Sequence, residues 1–294
     1  MLIKELYENK LINPPSFLID NTMYLTRMGS VAYGASTDYS DEDIYGWCIP
    51  TKEILFPHLT GYINGFGTKP DSFNVFQQHH IKFKEKEYDI CIYNIVHYFN
   101  LIMENNPNMI DSLFTSRNNI IHSTMVSEYL REQRKIFLHK GCYQKFKGYS
   151  YSELGKMTSK KATGKRLESI EKYGYDVKNA YNVIRLLNEV EQILVEGNLE
   201  LDKHSELLKS IRRGEWSMER IMAYFTEREK ILETAYCNSK LPDHPDEDKI
   251  KNILLHILEA HYGSLDKAVH INKDSDKILS EITKLLEFYN KKES

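Results

Sequence analysis

The sequence predicts an α+β chain in two domains: short strands and helices over about residues 1–120, then an all-helical domain over 121–294. Three observations carry this. Before residue 120 the apolar segments are short and broken by Gly, Pro and Asn. After it, apolar residues recur at spacings of three and four, the period of a helix with one buried face. No repeat or low-complexity linker divides the chain further. With 294 residues, each domain can bury a core of its own.

Taken in order, Met23-Tyr24-Leu25-Thr26-Arg27-Met28 reads as a strand. Ile44-Tyr45-Gly46-Trp47-Cys48-Ile49 reads as a second, stopped by Pro50. Phe73 to Phe83 and Tyr88 to Tyr93 supply two more. A helix from about Ile95 to Asn105 ends at Asn106-Pro107, because the residue before proline avoids helical backbone. The clearest helix runs from Asp176 to Glu196. Val177, Ala180, Val183, Ile184, Leu187, Val190, Ile193 and Leu194 form its stripe, with Asp176 as N-cap and Gly197 as stop. Ser217 to Tyr236 and Asp246 to His261 follow, separated by the breaker Leu241-Pro242-Asp243-His244-Pro245. Ser275 to Tyr289 makes a last helix before a charged tail.

Composition narrows the classes. The chain is 41% hydrophobic and 28% charged, with a net charge of −3. A nucleic-acid surface, if present, must therefore be local. Cys48, Cys91, Cys142 and Cys237 form no CxxC pair and have no His pair at zinc spacing. They read as reduced, mostly buried thiols. The first residues hold no signal-peptide run, and no apolar stretch approaches the ~20 residues of a membrane span. The expectation is a soluble, cytoplasmic protein with no membrane partner.

The segment from Met28 to Gly46 carries the chemistry. Gly29-Ser30 sits where a strand gives way to a helix. Free backbone N–H groups there favour a phosphate, glycine permits close approach, and Ser30 adds a hydroxyl. Asp41 and Asp43, two apart at the entry to a strand, share one face, while Glu42 faces away. Paired carboxylates suit hard divalent cations such as Mg²⁺, with Mn²⁺ as the substitute. Two metals about 3.5–4 Å apart could activate an attacking hydroxyl and neutralise leaving pyrophosphate. Either half alone would be a turn or a solvated acidic loop. Both halves, in order between two strands, point to metal-assisted phosphate chemistry.

Gly29-Ser30, Gly34 and Ser40-Asp41-x-Asp43 resemble the signature of the DNA polymerase β-type nucleotidyltransferase superfamily. The resemblance implies a mixed-sheet palm, Mg²⁺ and a third carboxylate on a later strand. Asp89, in the apolar run Tyr88-Asp89-Ile90-Cys91-Ile92-Tyr93, is the candidate. A lone carboxylate there is costly unless it meets a metal or partner, or faces water from an edge strand. Glu85 and Glu87 are the fallbacks. Asp41, Asp43 and Asp89 are thus the expected catalytic residues and metal ligands.

Gly29-Ser30-x-Ala32-Tyr33-Gly34, Asp41-x-Asp43-x-x-Gly46 and Asn106-Pro107-Asn108 narrow the resemblance. They are similar to a bacterial and phage subgroup of predicted nucleotidyltransferases, some associated with RNA ligases and proposed RNA repair. Phe146-x-Gly148-Tyr149, Gly164-Lys165-Arg166, Tyr173-Gly174-Tyr175-Asp176, Ile184-Arg185-Leu186-Leu187, Ile211-Arg212-x-Gly214-Glu215-Trp216 and Leu241-Pro242 extend it into the second half. Asn182 departs from the subgroup, where a His is expected.

Lys178, Asn182 and Arg185 fall on one face of the Asp176–Glu196 helix, bordered by Tyr181. With Gly29 and Ser30 they are the expected nucleotide-binding residues; a solvated helix face is the other reading. From His139 to Lys172 the chain carries a local net charge of +6, with Tyr143, Phe146, Tyr149 and Tyr151 interleaved. That segment reads either as an RNA-tracking surface or as a solvated helix with its aromatics in the core. His79-His80 offers no usable spacing, and Trp47 and Trp216 read as core residues. The expected activity is transfer of NMP from an NTP to an acceptor hydroxyl, with an RNA end, such as that of a tRNA, as the acceptor. Protein nucleotidylation or synthesis of a nucleotide signal is the rival chemistry. A silent RNA-binding or antitoxin module is the rival class.

Overall fold

The computed structural model describes residues 1–36, 41–158, 164–269, 279–280 and 282–283. Helices α1 (Leu2–Glu8) and α2 (Ser16–Asn21) precede strand β1 (Thr22–Arg27) and the single turn α3 (Gly29–Ala32). Strand β2 (Glu42–Cys48), helix α4 (Lys52–Leu55), strands β3 (Val75–Phe83) and β4 (Lys86–Asn94), and helices α5 (Ile95–Met103) and α6 (Pro107–Phe114) follow. After β5 (Ile120–Ser123) the described elements are helical: α7 (Met125–Glu132), α8 (Cys142–Lys156), α9 (Lys165–Tyr173), α10 (Val177–Glu196), α11 (Ser205–Arg212), α12 (Met218–Asn238) and α13 (Glu247–Tyr262). The expected helix from Ser275 to Tyr289 lies outside the described residues except at 279–280 and 282–283, which are helical. Ser40 of the signature also lies outside them.

The strands form one mixed sheet in the order β3-β4-β2-β1-β5. β1 runs antiparallel to both β2 and β5, β3 and β4 form an antiparallel hairpin, and β2 pairs with β4 in parallel. Four strands follow the sequence pattern. β5 escapes it, because Ile-Ile-His-Ser is too short to show a period, and its strand straddles residue 120. Helix α6 was also missed. Asn106 caps it and Pro107 occupies its first turn, where a missing N–H costs nothing, so one proline ends one helix and begins the next.

Alternation along the strands gives the sheet two faces. Leu25, Ile44, Cys48, Ile90 and Ile92 pack with Ile3, Leu6 and Leu18 of α1 and α2. Tyr24 and Trp47 face the other way, into a core that continues through α5 and α6 to the centre of α10. Gly46 is required by this packing: a Cβ there would fall 2.1 Å from the Tyr24 carbonyl oxygen on β1. Asp176 caps α10 through the Lys178 N–H at 2.9 Å, and Gly197 ends it at φ +59°. Trp47 and Trp216 are buried, as are Cys48, Cys91 and Cys142. No helix among the described residues is long and apolar enough to cross a membrane.

Candidate active site

Strand alternation decides which carboxylates meet. With Ile44 and Cys48 on the α1–α2 face, Asp43, Tyr45 and Trp47 project toward the helical half. β4 does the same with Asp89, Cys91 and Tyr93. The parallel register sets Asp43 opposite Asp89, on strands about 4.8 Å apart. Asp41, just ahead of β2, joins them in a cleft of about 510 Å³. Glu42 turns to the opposite face, where Arg27 binds it at 3.0 Å. Gly29, Ser30, Lys178, Asn182 and Arg185 line the same cleft, so the residues singled out from the sequence are brought together.

Gly29 has a more immediate reason to be glycine than a phosphate. Its φ is +61°, and a Cβ would lie 2.1 Å from Asp43 Oδ2. Any side chain there would displace that carboxylate. Burial pushes the Asp43 carboxyl above its usual range; Lys178 pulls it back, and Asp89 and Asp41 push it up further. Hard oxygen donors that repel one another in a half-dry cleft fit a divalent cation. Among the described residues, however, no three His, Cys, Asp or Glu side chains gather closely enough to hold a metal. Asp89 is turned toward β3: its Oδ1 accepts the His80 backbone N–H at 2.8 Å, and its Oδ2 lies 3.2 Å from His79 Nδ1. A register shift between Gln78 and Ile81, with His80 at φ +57°, makes this approach possible.

The opposite wall is cationic. Lys178 comes from the first turn of α10 and Arg212 from the last turn of α11. Arg212 donates to the Ala35 carbonyl at 2.6 Å, with its guanidinium 5.7 Å from the Tyr181 ring centre. Neither cation has a carboxylate within ion-pair reach among the described residues. Arg185 differs: its Nη1 lies 2.5 Å from Asp111 Oδ2 and 2.9 Å from Glu189 Oε2, beneath the Tyr33 ring. Tyr33 donates to the same Asp111 oxygen at 2.7 Å. Burial pushes both carboxyls up, more than the guanidinium pulls them down. Among the described residues, Arg185 Nε and the Tyr181 hydroxyl, on residues lining the cleft, have no partner, nor does Asp111 Oδ1 below. Arg185 thus reaches the cleft with most of its charge already answered.

Sequence reasoning overlooked Arg212, Asn108, Asp111 and the His79–Asp89 pair. No spacing ties Arg212 to α10 or His79 to Asp89. Asn108 and Arg212 did stand in the runs Asn106-Pro107-Asn108 and Ile211-Arg212-x-Gly214-Glu215-Trp216, without a role, and both line the cleft. The basic segment is also clarified. Lys140, Lys145, Lys147 and Lys156 pair with Asp243, Glu104, Glu229 and Glu153. Tyr143 and Phe146 are buried, whereas Tyr149 and Tyr151 are exposed. Along α8, then, local charge is largely spent within the chain.

Comparison with known proteins adds the family. Residues 8–249 match the sequence model of the RNA repair pathway DNA polymerase beta family. No curated protein matches the chain. Among solved structures, a nucleotidyltransferase-like protein from Exiguobacterium sibiricum 255-15 is similar at 10% identity, over 98% of this chain and 90% of its own. Its TM-score of 0.28 is too low to carry an argument.

Proposed function

The chain belongs to the RNA repair pathway DNA polymerase beta family, a nucleotidyltransferase family, and from that premise we propose that it transfers NMP from an NTP to the terminal hydroxyl of an RNA. The observation that carries this reading is the juxtaposition of Asp43 and Asp89 by the β2–β4 register, facing Lys178 and Arg212 across one cleft. The sheet, which runs through β5 past residue 120, holds the carboxylates, and α10 and α11 supply the cations that face them across the nucleotide.

The acceptor oxygen attacks the α-phosphorus, and the bond from that phosphorus to its bridging oxygen breaks as pyrophosphate leaves. Asp89, oriented by the His80 N–H and by His79, accepts the hydroxyl proton. Lys178 and Arg212, which form no ion pair among the described residues, meet the negative charge of the triphosphate. Ser30 donates its hydroxyl to a phosphate oxygen. The Tyr181 hydroxyl and Arg185 Nε lie buried on residues that line the cleft and have no partner among the described residues. Asp41 and Asp43 would hold Mg²⁺, joined by Asp89 only once its carboxylate swings away from β3; the ion would supply neutralisation of the charge on the transferring phosphate. Asn182 lines the cleft while donating to Glu153 at 3.1 Å, a structural contact beside its place at the nucleotide.

The test uses α-labelled NTP with single-stranded RNA, with a protein acceptor and with none. Label is expected in RNA, and Asp43→Asn is expected to lower kcat/KM on the order of a thousandfold. Label confined to protein or to a soluble product would overturn the RNA acceptor.

A further inference from the structure

Behind α3 lies a second cavity, of about 390 Å³, lined by Arg117, Arg131 and Arg134. Ala32 of α3 borders it, while Gly29 and Ser30 of the same turn border the cleft that holds Asp43. A helix with its side chains is about 10 Å across, so the two cavities are near neighbours.

The three arginines have few partners. Arg131, 7% exposed, is held by neutral oxygens: the Thr115 carbonyl at 2.7 Å, the Leu113 carbonyl at 3.1 Å and the Tyr24 hydroxyl at 2.8 Å. Among the described residues Arg134 donates only to the Arg131 carbonyl, at 2.8 Å, and lies 5.2 Å over the Phe114 ring. Its Nε is buried with no partner among the described residues. Arg117, at the surface, is bound to Glu128 at 3.0 Å. Neither Arg131 nor Arg134 forms an ion pair among the described residues. Burial and the charges of Arg131 and Arg117 pull Arg134 below the usual arginine range, which registers two cations crowding a third. Like charges gathered in a half-buried cavity are costly unless an anion joins them.

The cavity also holds acceptors. Glu132, Glu200 and Asp202 line it with exposed side chains, out of ion-pair reach of Arg131 and Arg134. Asn198 also lines it, and its buried Oδ1 takes no hydrogen bond among the described residues. A ligand suited to this wall brings an anionic oxygen for Arg134 and a hydroxyl donor for Asn198. A ribonucleotide unit has both, a phosphate and a ribose 2′-hydroxyl.

We propose that the Arg117–Arg131–Arg134 cavity holds a phosphate of the acceptor RNA strand, with the adjoining ribose hydroxyl on Asn198, while the strand's end lies at Asp89. This rests on the reading of the acceptor as RNA. Arg131 supports β1 and the end of α6, so the decisive variants are Arg134→Gln and Arg134→Lys.

Full-length protein is titrated with a labelled single-stranded RNA oligonucleotide in EDTA, without NTP, over a range of salt concentrations. Arg134→Gln is expected to weaken binding about tenfold and to lower the slope of log K against log salt by about 0.7, one phosphate contact on a single strand. Arg134→Lys retains the slope, and DNA of the same sequence binds less tightly than RNA. Wild-type affinity and slope in Arg134→Gln, in protein that still labels RNA from NTP, would overturn the cavity and leave the acceptor reading standing. Wild-type protein that neither binds nor labels RNA overturns both.

Discussion

Arg185 and Arg134 are both withdrawn from water, and they are answered differently. Arg185 faces two carboxylates within 3 Å, a tyrosine ring and a central helix. Arg134 faces one carbonyl oxygen and a phenyl ring. The first guanidinium has its counter-charge built into the chain, so its site is complete as folded and ties α6 to α10 under the cleft. The second forms no ion pair among the described residues: the carboxylates that line its cavity, Glu132, Glu200 and Asp202, stand out of reach. The same contrast separates the cleft's own cations: Arg185 is matched, whereas Lys178 and Arg212 are not.

The largest effect tests the matched side. Arg185→Met leaves Asp111 and Glu189 buried together without a cation. Thermal or denaturant unfolding is expected to show a loss of about 3–5 kcal/mol. A near-neutral result would mean that the ion pair contributes nothing to the α6–α10 junction. A smaller effect concerns the surplus carboxylate, since one guanidinium cannot answer two. Burial keeps Glu189 protonated to a higher pH in the folded chain than in the unfolded one. Its stabilising contribution is full below the unfolded glutamate range, about pH 4.3, and is lost as pH rises through the folded value. Glu189→Gln is therefore expected to flatten the fall in stability as pH rises above the unfolded glutamate range, read by denaturant unfolding across a pH series; a steeper fall would reverse the assignment. The smallest effect is on the unmatched side. Arg134→Gln removes a repelled cation, and its unfolding free energy is expected to stay within about 1 kcal/mol of wild type. A large destabilisation would place Arg134 with Arg185 as a structural residue.

What could be read from the sequence was local. The interval of two between Asp41 and Asp43, the stripe and cap of α10, and the alternation of β1 and β2 are all set by backbone periods a few residues long. The arrangement around them was not legible. Asp111 meets Arg185, His79 meets Asp89, and Arg212 enters the cleft only through tertiary packing. The charge of α8 was legible, but not its fate, because Glu104, Glu229 and Asp243 lie far along the chain. β5 was lost to its length, and α6 to a proline read only as a stop.

The β2–β4 pairing has a consequence for how the protein becomes active. β3 and β4 are joined by Lys84-Glu85, both at positive φ, a tight hairpin that can close early. That hairpin carries Asp89 but not Asp43. The two carboxylates meet only when β4 docks in parallel on β2, a non-local step of the kind that slows folding. A slip of one residue in that docking would turn Asp89 to the α1–α2 side of the sheet. The carboxylate pair is thus assembled in a single long-range closure, and during refolding the recovery of nucleotidyl transfer should lag behind hairpin formation.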